Sequence, residues 1–175
     1  MKLNKLYLLV CTSVMAFASP TSAIAKAVER LLQYEHCFNA SAQKYNLSPV
    51  LLKGIALAES SGIPTAKNTN HIGTTKSVDV GLMQINSGWF PLLERKFGIK
   101  ASQLQNACMS IDVGAWILAH EFKRYGNQWD AVGAYNAACT QLKGKACSKR
   151  RQAYSWRVYR MMKLVQESAP RNISG

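Results

Sequence analysis

Ser48-Pro49-Val50-Leu51-Leu52-Lys53-Gly54-Ile55-Ala56-Leu57-Ala58-Glu59-Ser60-Ser61-Gly62 carries its own start and stop signals. Ser48 is a good N-cap, because its hydroxyl can accept a hydrogen bond from a free helix N–H. Pro49 suits the first helical position, where no N–H is needed. Gly62 suits the left-handed conformation that ends a helix. Between these signals Leu52, Ile55, Ala56 and Glu59 fall on one face at helical spacing. The carboxyl of Glu59 therefore continues the apolar stripe. An acid in that position loses hydration and its pKa rises, and a proton kept near neutrality is what general acid catalysis needs. The alternative is a helix-terminal Glu that swings into water.

Upstream, Lys2 and Lys5 precede an apolar run from Leu6 to Phe17, and Ser19 to Ala25 supplies small residues. This is the layout of a secretory signal peptide, with Ala23-Ile24-Ala25 placing the mature start at Lys26 and a cut after Ala23 as the alternative. The run is short for a bilayer, which takes about 20 apolar residues. The expected division is a signal over 1–25, one domain over 26–168 and a flexible polar tail over 169–175. Losing Lys2 and Lys5 lowers Lys+Arg from 22 to 20 against 9 acids, a net charge of +11. Such a balance suits a polyanionic partner. No nucleic-acid motif is present, and with export an anionic wall polymer or membrane surface fits better. With Cys11 removed, Cys37, Cys108, Cys139 and Cys147 remain, an even number that favours disulfides in an exported protein. Three pairings are open. A local Cys139–Cys147 staple would leave Cys37 with Cys108.

Along the chain, Val28, Leu31, Leu32, Glu35, Phe38, Ala42 and Tyr45 predict one amphipathic helix over 27–45. Residues 62–80, rich in Thr, Asn, Ser, Lys and Gly, read as a long loop. Loops of that length in a compact domain are commonly functional. Ser87 to Gly98 reads as a short helix closed by Gly98. Ile111, Gly114, Ala115, Leu118, Phe122 and Tyr125 predict a central packing helix ended by Gly126, with Gly114 and Ala115 permitting close approach. Trp129 to Tyr135 predicts another short helix. Residues 136–150 read as a loop holding Cys139, Cys147 and a basic cluster. Tyr154 to Val165 predicts a last helix with Val158, Met161, Met162 and Val165 inward. The fold class is all-α, with at most a minimal β-hairpin.

Glu59 needs partners. Asp79 is the other acid between Glu59 and the Trp89 helix. Two carboxyls in different surroundings suit glycoside cleavage, one protonated and one ionised. An Asx-turn is the plainer reading of Asp79. Gln84, Asn86 and Asn136 offer amides that both donate and accept, which suits sugar hydroxyls and N-acetyl groups. Trp89, Tyr125, Trp129 and Tyr135 could stack on sugars, although most aromatics in a small domain are core. His36, His71 and His120 have no metal spacing, and neither a metal nor a cofactor is expected.

Ala58-Glu59-Ser60, Gly81-Leu82-Met83-Gln84-Ile85-Asn86 and Ala134-Tyr135-Asn136 together resemble the three signature blocks of lytic transglycosylases with the goose-lysozyme-like fold. The match covers about residues 36–165. The Cys37-Phe38 start, Asp79 ahead of the Gly81 block and Cys108 ahead of the central helix are similar to the small transglycosylases of type III and type IV secretion, conjugation and pilus systems. The resemblance implies periplasmic cleavage between N-acetylmuramic acid and N-acetylglucosamine, with Glu59 as acid and then base. It implies that Tyr135 bonds and orients Glu59. Gln84 and Asn136, with Met83 and Asn86 from the second block, would hold the sugar. Ser60 would support the acid or touch substrate, and Asp79 would act as a second acid. It also implies a Cys37–Cys108 bridge, a monomer without a membrane anchor, and a secretion or pilus subunit as partner. Two features depart from the family pattern. Ala137-Ala138 stands where a small residue and Gly are usual, and the stretch from Glu59 to Gly81 is long.

Overall fold

The computed structural model describes residues 20–70, 76–126, 129–139 and 142–168. Seven helices lie in that range: α1 (Pro20–Leu32), α2 (Glu35–Tyr45), α3 (Pro49–Ser60), α4 (Phe90–Phe97), α5 (Ala107–Tyr125), α6 (Trp129–Asn136) and α7 (Gly144–Ser168). Three two-residue strands, β1 (Lys67–Asn68), β2 (Asp79–Val80) and β3 (Ile85–Asn86), form an antiparallel sheet in the order β1-β2-β3. Asp79 is paired across it with both Asn68 and Asn86. The all-α reading with a minimal hairpin holds, the sheet having one strand more than a hairpin. His71 and the expected tail at 169–175 lie outside the described residues, as does the expected signal up to residue 19. α1 runs through the expected cleavage point, and its buried residues Ala27, Val28 and Leu31 all lie beyond that point.

α3 forms as its signals require. Ser48 Oγ accepts from Leu51 N at 3.3 Å, and Pro49 occupies the first turn. The left-handed cap is Ser61, one residue before Gly62. Leu52, Ile55 and Ala56 are wholly buried. Full burial of a side chain the size of Leu52 or Ile55 stabilises by about 1.5–3 kcal/mol each. α3 packs against α7, α2 and α6 pack against α5, and α6 packs against α7. Gly114 of α5 lies under Met83, whose side-chain carbons would come within 2.8 to 2.9 Å of an added Cβ. The expected close approach at Gly114 is thus made to the 81–84 turn.

Three expectations need correction. The helix over 27–45 is two helices, broken at Gln33-Tyr34. Leu32, which fits the stripe, is 62% exposed, because the stripe changes direction at the break. The loop over 62–80 contains β1 and β2. The loop over 136–150 ends at Gly144, where α7 begins ten residues before the predicted start. Those first turns have no apolar stripe. Their inward group is Arg151, whose Nε donates to Ala137 O at 3.0 Å and whose Nη2 donates to Tyr125 Oη at 2.9 Å. Both disulfides form, Cys37–Cys108 and Cys139–Cys147, with Cα separations of 5.3 and 5.6 Å.

Candidate active site

An open cleft of about 770 Å³ runs between the end of α3, the small sheet and the α6–α7 connection. Glu59 sits in it at the foot of the buried stripe of α3. The Tyr154 hydroxyl, from α7, donates to Glu59 Oε1 at 2.5 Å. The Asn136 amide also bonds the carboxyl, and Arg157 contributes a positive field. Burial nevertheless dominates, and the Glu59 pKa lies above its ordinary value, Asp79 adding a smaller push upward. Loss of water disfavours the anion more than the two hydrogen bonds and Arg157 favour it. Burial, followed by the charge of Glu59, also pushes the Tyr154 and Tyr135 hydroxyls well above the usual tyrosine range. Both remain donors at neutral pH.

Asp79 enters the same cleft from β2. Asn86 Nδ2 donates to one of its oxygens at 2.7 Å and Asn68 Nδ2 to the other at 3.4 Å. The carboxyl is held from both flanking strands. Asn86 Oδ1 also accepts from Gly88 N at 2.9 Å. One asparagine therefore orients Asp79 and starts the turn leading into α4.

The remaining candidates divide between wall and frame. Gln84, Asn86, Tyr135 and Asn136 line the cleft with the two acids. Gln84 Nε2 donates to Ala66 O and Gly81 O, so its amide also ties the 81–84 turn to the β1 side. Tyr135 does not bond Glu59. Its hydroxyl donates to Met83 O at 2.9 Å, pinning α6 to the turn. The bond expected of it comes from Tyr154. Met83 is wholly buried against Gly114 and offers no side-chain atom to the cleft. Ser60 is likewise buried. Its hydroxyl donates to Leu82 O at 2.7 Å and accepts from Ile63 N at 3.2 Å, which clamps the end of α3 to the turn. Gly81, with φ +87° and the Leu104 carbonyl and Ser110 Oγ against it, leaves no room for a Cβ. The Ala137-Ala138 departure is tolerated because the left-handed residue in that connection is Cys139, at φ 56°.

Tyr154, which bonds Glu59, and Arg157, whose charge acts on it, are the groups around the acid that the motif reading misses. A signal for the first exists: the inward stripe Val158, Met161, Met162, Val165, extended back one turn, reaches Tyr154. Among the described residues one group of metal-ligating side chains gathers, His36, Cys37 and Cys108, and its two sulfurs are bonded to each other.

The family model described as "Transglycosylase SLT domain" matches residues 36–156, from the start of α2 to beyond Tyr154. "Invasion protein IagB" of Salmonella typhimurium (strain SL1344) is 42% identical over 128 residues, 73% of this chain and 77% of that protein. "X polypeptide" of Escherichia coli is 37% identical over 142 residues, 81% and 80% of the two chains. "Peptidoglycan-binding-like protein" of Escherichia coli O157:H7 is 35% identical over 127 residues, 70% and 74% of the two chains. The matched span takes in both acids, the 81–84 turn that follows Asp79 and the part of α7 that supplies Tyr154, and the chain belongs to the SLT transglycosylase domain family.

Proposed function

We propose that this protein is a peptidoglycan lytic transglycosylase. Glu59 donates its proton to the oxygen linking N-acetylmuramic acid to N-acetylglucosamine, and the glucosamine side leaves as an alcohol. The muramyl anomeric carbon gains positive charge. Asp79, its oxygens oriented by Asn68 and Asn86, faces that charge. The muramyl sugar's own hydroxyl then attacks the anomeric carbon and closes an anhydro ring. Its proton returns to the Glu59 carboxylate, which restores the acid. Asn136 and Gln84 hold the sugar in the cleft. The observation that carries this reading is a carboxyl with raised pKa, bonded by Tyr154, opening onto the same cleft as a second acid.

The test is product analysis on purified sacculi. Wild type releases muropeptides with anhydro ends, and Glu59→Gln lowers release by about 10²- to 10⁴-fold, the range for loss of a general acid. Reducing ends would favour the second reading, a muramidase in which Asp79 assists water; Asp79 in the same cleft is the feature supporting it. Absence of turnover with retained wall binding would favour a non-catalytic binding protein instead.

The reading includes the setting. A signal over 1–25 delivers the chain to the periplasm as a monomer, and it opens the wall locally for a secretion or pilus apparatus. The name "Invasion protein" borne by a relative and the subgroup features around Cys37, Asp79 and Cys108 support this setting. No described helix is long and apolar enough to cross a membrane.

A further inference from the structure

Beside the cleft, α6 and α7 carry a second concavity that the reaction above does not use. It is a groove of about 1,020 Å³. Trp129, Trp156 and Tyr159 line it and are 48%, 58% and 40% exposed. Three large rings left in solvent on a strongly basic chain are a patch that needs a reason. They also hold one another. Tyr159 meets Trp129 edge-to-face at 6.0 Å and Trp156 edge-to-face at 5.6 Å. Ser155 Oγ donates to Trp129 O at 2.7 Å, tying the two helices beneath the rings. Rings already fixed lose little freedom when a ligand arrives. Their polar neighbours are Lys145, Lys149, Gln152, Ser148, Ser155 and Asp130, so that donors surround the rings and two lysines stand against one carboxyl.

The groove and the cleft draw on the same two helices, although no residue lines both. On α7, Lys149 lines the groove and its neighbour Arg150 lines the cleft. On α6, Trp129 at one end lines the groove, and Tyr135 and Asn136 at the other line the cleft. The two ends of α6 are about 10 Å apart along its axis.

We infer that the groove is a second glycan-binding site, in which Trp129, Trp156 and Tyr159 stack on hexosamine faces of peptidoglycan while Lys145 and Lys149 pair with stem-peptide carboxylates. This rests on reading the cleft as a glycan site. Stacking of a sugar ring on an aromatic face buries its C–H side, and the hydroxyls at the ring edge remain for the polar rim. The site makes the enzyme favour long, wall-bound strands over short fragments.

The test separates holding from cutting. Retention is measured by cosedimentation with purified sacculi in a Glu59→Gln background, where nothing is cleaved. Trp156→Ala, and independently Tyr159→Ala, are expected to weaken retention roughly tenfold, the scale of one aromatic contact. In the otherwise wild-type enzyme, Trp156→Ala is expected to lower product release from sacculi by a similar factor and to leave turnover of a soluble muramyl tetrasaccharide unchanged. Thermal midpoints confirm that both variants fold. Full retention by both variants, or equal loss on sacculi and tetrasaccharide, overturns the inference. If wild type releases product while retention ignores both substitutions, the groove fails and the enzyme stands. If wild type releases nothing while retention depends on Trp156, the enzyme fails and the groove stands.

Discussion

At the scale of the residue, Glu59 is governed by competition between lost hydration and the groups that grip its anion. Burial wins, so the folded chain holds this proton at a pH where the unfolded chain has released it. The sign for stability follows. Glu59 favours the fold most below its ordinary value near 4.5, and that contribution is lost as pH rises through the raised value. Glu59→Gln, which keeps the shape and can still accept from Tyr154, should therefore raise the melting temperature at pH 7 to 8, with the gain shrinking toward pH 4. Thermal denaturation across that range measures it, and a loss of stability at neutral pH would contradict a buried acid. On the proposed mechanism the protonated form is the donor, so activity should fall as pH rises through the same value. Tyr154→Phe removes a bond that favours the anion, so it should move this alkaline limb to higher pH while lowering the maximal rate. A limb that stays in place would mean that Tyr154 does not touch the acid. Glu59 is legible in sequence because its stripe and caps are local. The inward position of Tyr154 is legible in the stripe of α7, but its bond to the acid is not, because its partner lies 95 positions away and only packing brings them together.

At the scale of the element, the 81–84 turn is the piece to which the others are fastened. Ser60 clamps α3 to it through Leu82 O, Tyr135 clamps α6 through Met83 O, and Ser110 Oγ of α5 accepts from Met83 N at 3.0 Å. Ser60→Ala leaves a buried carbonyl short of a partner and should cost about 1–3 kcal/mol in urea unfolding. Its hydroxyl faces the turn, so kcat under folding conditions should change less than about tenfold. A larger loss would put Ser60 in contact with substrate. Gly81→Ala forces a Cβ into the Leu104 carbonyl at a left-handed φ, and should destabilise by at least as much. The elements legible in sequence are those with local punctuation: α3 from Ser48 and Pro49, α4 from Gly98, α5 from Gly126. The first turns of α7 are illegible because the side chain they bury is Arg151, whose Nε and Nη2 are satisfied by Ala137 O and Tyr125 Oη. A buried arginine leaves no apolar period to read. The α1–α2 break is illegible because Leu32 continues a pattern from which the backbone has already turned away.

At the scale of the whole molecule, two disulfides act over different lengths of chain. Cys37–Cys108 closes 71 positions and joins α2 to the start of α5, whereas Cys139–Cys147 closes 8 at the edge of the cleft. On loop-closure entropy, the first stabilises by about 4 kcal/mol and the second by about 2.5 kcal/mol. Replacing each pair by alanine and measuring urea midpoints should reproduce that order. The reverse order would mean that strain or residual structure in the unfolded chain outweighs loop length. The Tyr154–Glu59 bond has a bearing on timing as well. A ribosome delivers the chain from its N-terminus, so the acid emerges long before the ring that holds it. Until the final helix docks, that acid is an ordinary carboxyl in water. On the proposed function, a molecule clipped ahead of α7 lacks the packing of that helix on α3 and keeps its acid hydrated, so docking of the final helix is what arms it.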